Sequence, residues 1–149
     1  MSRLSDEVAV AVLLIGAGLA SDPADAVDTP HPVYAGNTGA GSKPHVNVVA
    51  SGSDDEPRNH TGRQLSRPII NIEIHTTTLQ EAWDQGMALQ QFCDNPEPRT
   101  AVSGDDSVVI ETMGRTSAVK QLGQHPKTKL FVAGVTVILS TPSIDPATE

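Results

Sequence analysis

Aromatic residues are scarce in this chain of 149 residues, at 3% of the total. Its core must therefore be built from Val, Ile, Leu and Ala. A single cysteine, Cys93, excludes an internal disulfide framework and any zinc site made of cysteines alone. It reads as a small apolar core residue. Basic residues number 10 against 18 acidic ones, for a net charge of −8, and no basic block is present. Duplex binding needs clustered Lys and Arg against phosphates, so a nucleic-acid-binding surface is not expected. The most hydrophobic run, Val8 to Ile15 and on to Leu19 and Ala20, is too short to span a bilayer. It resembles the apolar stretch of an export signal, but Asp6 and Glu7 stand where such a signal carries positive charge. Ser5, Asp6 and Glu7 instead suit a helix N-terminus, through capping and the macrodipole. A buried helix over about 5–20 is the expectation, and no membrane segment.

Turn formers are plentiful: eleven Pro and twelve Gly. They set long loops around a compact centre. The length suits one domain, burying roughly two-thirds of its unfolded surface. A folded core over 5–141 is expected, with loops at 21–43, 51–66 and 94–106 and a polar tail at 142–149. The central stretch runs from Arg67 to Cys93. Ile70, Ile72 and Ile74 alternate with Asn71, Glu73 and His75, the period of a strand with one buried face. Thr78-Leu-Gln-Glu81 has the form of a capping box. Leu79, Ala82, Trp83, Gly86, Leu89 and Cys93 then recur at helical spacing as a packing face, and Asn95-Pro96 closes the helix. Val33-Tyr34 allows a short strand. Pro44 to Ala50 and Ser107 to Met113 read as strands, the latter continuing or bending toward Leu122. Gly123 to Lys129 is a turn. Leu130 to Ser140 is the longest strand and, being nearly all apolar, the central or doubly covered one. The class is α+β: a mainly antiparallel sheet of four to five strands with two helices packed on one face.

Catalytic patterns are not evident. The five histidines (His31, His45, His60, His75 and His125) show no pair at the short spacings of zinc motifs. His75 would join a site only if the tertiary fold happened to bring another ligand to it. Asp54-Asp55-Glu56 and Asp105-Asp106 are adjacent carboxylates of loop tips. Gly36 to Gly41 lacks the Lys-Ser/Thr of a phosphate loop, and no Ser lies in a nucleophile elbow. No catalytic residue, metal or cofactor is expected.

The order of elements carries a resemblance. An apolar N-terminal helix leads to Val33-Tyr34-Ala-Gly36. The strand Pro44-His-Val-Asn-Val-Val49, a long polar loop and the strand Ile69-Ile-Asn-Ile-Glu-Ile-His75 follow. That strand enters a helix from Leu79 to Phe92, and the strand Phe131 to Leu139 comes last. Over residues 5–141 this resembles the tail terminator and tail-completion proteins of long-tailed bacteriophages. Thr76-Thr-Thr78 departs from the glycine or serine usual there, and the last turn is long. The resemblance implies a structural virion protein of the tail or neck, assembled in the host cytoplasm and not an enzyme. It implies a homo-oligomeric ring, a hexamer, that caps the tail tube, ends its polymerisation and joins the neck connector. DNA would pass through the lumen without specific binding. A head-closure or other neck subunit is the alternative within this class; a small ligand-binding domain or enzyme is the alternative outside it.

Candidate interface residues lie in the loops: Asp54, Asp55, Glu56, Arg58 and Arg63 of the first long loop, then Lys127 and Lys129 of the last turn. Such loops grip neighbours while the sheet holds them in place. Reversing the charge of Arg58 and Arg63 together is expected to impair ring formation and alter tail length. Unchanged ring formation and tail length would remove this loop from the interface.

Overall fold

A computed structural model describes residues 4–25, 27, 29–36, 43–53 and 65–142. Helix α1 spans Asp6–Gly16. The Ser5 hydroxyl accepts the Val8 amide at 3.3 Å, and Asp6 and Glu7 sit in the first turn, against the positive end of the helix dipole. The helix ends well before residue 20. Gly18 takes φ 77°, and the amides of Gly18 and Leu19 fold back to the carbonyls of Ile15 and Leu14. That pair of bonds is a Schellman motif, which a residue with a Cβ closes at greater cost.

Strands β1 (Val33–Ala35), β2 (His45–Ser53), β3 (Leu65–Ser66) and β4 (Pro68–Thr76) follow. Then come α2 (Leu79–Cys93) and strands β5 (Arg99–Ser103), β6 (Asp106–Ile110), β7 (Thr112–Arg115), β8 (Lys120–Gln124) and β9 (Phe131–Pro142). The main sheet has seven strands. Strand β9 is central because both its edges are paired. On one edge β4 and β3 lie along it in a single antiparallel register, from Thr76 opposite Phe131 to Leu65 opposite Pro142. On the other edge β8 and β7 divide its length between them. Beyond β4 lie antiparallel β2 and, at the margin, β1 parallel to β2. The fold is α+β and mainly antiparallel, as the sequence pattern predicts.

The strand count exceeds the four to five expected. Residues 99–110 form a separate hairpin, β5–β6, partly inside the expected loop at 94–106. The expected strand from Ser107 to Met113 divides at Glu111, with β6 in the hairpin and β7 on the main sheet. Of the expected loop at 51–66, residues 51–53 belong to β2 and 65–66 to β3, and the rest lies outside the described residues.

One face of the sheet is apolar. Register places Ile70, Ile72 and Ile74 beside Val137, Val135 and Ala133 on one side and Ala50, Val48 and Val46 on the other. Ala9, Val10 and Leu14 of α1, Leu89 and Cys93 of α2, and Ala101, Val108 and Ile110 of the hairpin join these residues in one core cluster. Burial pushes the Cys93 thiol up to about 11, which fits a core residue and not a reactive thiolate. At the start of α2 the Thr78 hydroxyl accepts the Glu81 amide at 3.1 Å. The Glu81 carboxylate does not complete a capping box in the expected way, for it binds Thr77 Oγ1, Gln85 and His31.

Gly86 explains how closely α2 sits on the sheet. A Cβ there would lie 3.3 Å from Val119 Cγ1 and from Gln121 Nε2, and 3.5 Å from the Ala133 Cβ. Glycine inside a helix costs about 1 kcal/mol relative to alanine, so the close approach offsets a local penalty. Gly86→Leu is expected to destabilise the fold by about 1–3 kcal/mol through overpacking. A urea melt with an unchanged midpoint would show that α2 is not held this closely.

Candidate functional site

The expected interface residues divide into two groups. Asp54, Asp55, Glu56, Arg58 and Arg63 lie outside the described residues. Lys127 and Lys129 are exposed in the turn between β8 and β9. His125 organises that turn: its Nδ1 accepts the amides of Lys127 and Thr128 at 3.1 and 3.3 Å, and its carbonyl accepts that of Lys129. Lys129 has φ 63°, in the left-handed region.

The turn adjoins a histidine cluster at one end of the sheet. In the β2–β4 register His45 lies opposite His75, and their rings stack with centroids 4.3 Å apart and planes 13° from parallel. The His125 ring is 6.4 Å from His75, and Tyr34 meets His45 edge-on at 6.3 Å. His31 bonds Glu81 at the start of α2, Nε2 to Oε1 at 2.5 Å. The fold thus supplies the tertiary juxtaposition that sequence spacing did not disclose.

The hydrogen-bond chain assigns the His45 tautomer. Its Nδ1–H donates to the Lys43 carbonyl at 2.6 Å, leaving Nε2 to accept from Asn47 Nδ2 at 3.2 Å. This arrangement is the neutral imidazole. Burial is the main cause that pushes the His45 pKa below its ordinary 6.5, against the pull of the Lys43 carbonyl, and His75 adds to the lowering. His75 Nε2–H donates to Glu73 Oε1 at 3.3 Å, and that bond holds the Glu73 carboxyl below its ordinary 4.5.

Chemically, the cluster holds His45 as a neutral imidazole and Glu73 as a carboxylate. Among the described residues no three His, Cys, Asp or Glu side chains converge to hold a metal. Parallel stacked rings aim their nitrogens along separate planes, and both nitrogens of His45 are already engaged. Hydrogen bonds between these imidazoles and described residues run to carboxylates, an amide and the backbone. None runs to a hydroxyl or thiol that would serve as a nucleophile. The same sheet face continues through Asn47, Asn71, Glu73 and Thr136, with Thr136 Oγ1 donating to Asn71 Oδ1 at 2.6 Å.

A second feature corrects the expected packing face of α2. Leu79 is 56% exposed, Trp83 55% and Met87 43%. The buried residues are Ala82, Gly86, Leu89 and Cys93. At about 100° per residue, Leu79, Trp83 and Met87 form a separate stripe, turned roughly 90° from the buried one. Their mutual spacing of four was visible in the sequence. What was not visible is that smaller residues take the core side. No family model matches the chain, and no curated protein matches it.

The histidine end makes stability depend on pH. Unfolded His45 takes up a proton near 6.5, whereas folded His45 resists it, so the unfolded state binds more protons and stability falls as pH drops below about 6.5. Glu73, with its depressed folded pKa, adds a further loss only below about 4.5. His45→Gln is expected to flatten the fall in melting temperature in the upper window and leave the lower one. An unchanged profile would show that His45 does not control it.

Proposed function

We propose that this chain is a structural assembly subunit: a ring-forming virion protein at the tail or neck of a long-tailed bacteriophage, working as a tail terminator. The observation that carries the assembly reading is the outward stripe of Leu79, Trp83 and Met87. The chain's only tryptophan stands more than half exposed while Ala82, Gly86, Leu89 and Cys93 fill the core side of the same helix. Large apolar groups left in the open at neighbouring positions are the mark of a contact surface. Tryptophan is among the side chains most enriched at the centre of such contacts.

Three further features agree. The main sheet has two unlike margins, short β1 on one side and the interrupted β7–β8 line on the other. Unlike surfaces meeting head to tail generate rings when the rotation closes. The sheet face of Asn47, Asn71, Glu73 and Thr136 presents amide, carboxylate and hydroxyl groups, chemistry suited to a hydrated contact. A net charge of −8 would let DNA pass through a lumen without adhering, if the acidic groups face it. The phage assignment itself rests on the order and alternation of the elements, and the partners it implies are the tail tube and the neck connector.

Native mass of the purified chain, alone and mixed with tail-tube protein, tests this reading. An assembly of six times the 15.6 kDa subunit mass, free or on the tube, is the expected result. A monomer under both conditions, absent from tailed particles, would overturn it.

A further inference from the structure

An open recess lies where α1 and α2 adjoin, on a different side of α2 from the exposed stripe. It has a volume of about 470 Å³, and its lining includes Leu13, Ala17, Leu19, Ala88, Phe92 and Arg99. The walls are mainly apolar, with Gln91 and Asn95 adding amide groups, and Arg99 makes one end cationic. The Arg99 guanidinium stacks on the Phe92 ring at 4.3 Å. Its Nη2 donates to the carbonyls of Phe92 and Asn95, closing the end of α2, and Nη1 meets Met113 Sδ at 3.5 Å. Arg99 takes part in none of the ion pairs between described residues, which join His31 to Glu81, His75 to Glu73 and Arg115 to Asp94. A half-buried cation with only neutral partners favours a carboxylate or an aromatic face beside it.

The same chain carries both. Trp83 stands on the exposed stripe between Leu79 and Met87, and exposed Asp84 follows it. Helical geometry sets Ala88 and Phe92 roughly 140–180° around α2 from Trp83, so no molecule can place its own indole in its own recess. We propose that the Trp83 stripe of one copy docks into the α1–α2 recess of a second copy. The indole enters between Leu13 and Ala88 and lies against Phe92 and Arg99, with Asp84 close enough to neutralise the guanidinium. The contact joins two different patches, so a docked pair keeps one free knob and one free recess, and growth continues until a ring closes. An aromatic side chain of this kind buries about 150–250 Å² and acts as the anchor of a wider interface, not as all of it. The inference rests on the ring reading and names the contact that would build the ring.

Two substitutions separate knob from recess. Trp83→Ser removes the knob at an exposed position, and Ala88→Glu fills the recess with a carboxylate that Arg99 can neutralise. Circular dichroism checks that each variant folds; Met87→Glu replaces the first if it does not. Each substitution alone is expected to weaken self-association about 30-fold or more, as loss of a central anchor does. The decisive sample is the equimolar mixture. Each variant retains the patch the other lacks, so sedimentation should give a heterodimer that grows no further. The single indole of the wild type should shift its emission to the blue on assembly. If wild type assembles and both variants assemble equally well, the ring stands and this contact is overturned. If Trp83→Ser blocks assembly but Ala88→Glu does not, the stripe meets something other than the recess, and the proposal fails. Wild type that stays monomeric with and without tail-tube protein overturns the contact and the ring reading together.

Discussion

The pairing of β4 with β9 is the constraint on which the other features depend. Eight residue pairs, from Ile69 with Ile138 to Thr76 with Phe131, hold two strands in one register, and β3 extends it to Leu65 with Pro142. Side chains alternate with a period of two, so a slip of one residue would exchange Ile70, Ile72 and Ile74 for Asn71, Glu73 and His75 on the buried side. The apolar cost of that exchange is what fixes the register. With β4 placed, β2 aligns on its other edge, and α2 starts three residues beyond Thr76.

From that placement follow two surfaces of different character. Toward the helices, Val, Ile, Leu and Ala pack closely, aided by Gly86, and the scarcity of aromatics leaves the fold no large ring to spare inside. Toward the other side, the sheet presents amides, a carboxylate and the stacked histidines. His45 and His75 meet because their strands pair, and burial holds His45 neutral against the pull of the Lys43 carbonyl. The result is a structural cluster in which the protonation of His45 bears on stability, while the aromatic side chain of α2 stands exposed.

Much of the fold was legible because alternation and capping are local. The period of Ile70, Ile72 and Ile74 marked β4, Thr78 marked the start of α2, and the apolar run after Leu130 marked the central strand. Local signals misled where two of them competed. Val8 to Ala20 is apolar throughout, yet Gly18 ends α1 early by closing a Schellman motif. Ser107 to Met113 reads as one strand, yet Glu111 is where the chain passes from hairpin to sheet. The surfaces were less legible. Leu79 and Trp83 have the spacing of a packing face, and only the tertiary fold decides that Ala82 and Gly86 take that role. The histidine cluster depends on pairing between residues thirty apart in sequence, which no spacing rule reports. Of the loop residues expected at an interface, Lys127 and Lys129 stand exposed beside His125, and the others lie outside the described residues.

The role proposed for this chain is to assemble with copies of itself. Electron microscopy of the purified protein on grids tests it most directly. Closed rings with a central opening, built from repeating subunits, are the result this account predicts. A uniform field of single 15.6 kDa subunits, with no rings even when tail tubes are present, would contradict it.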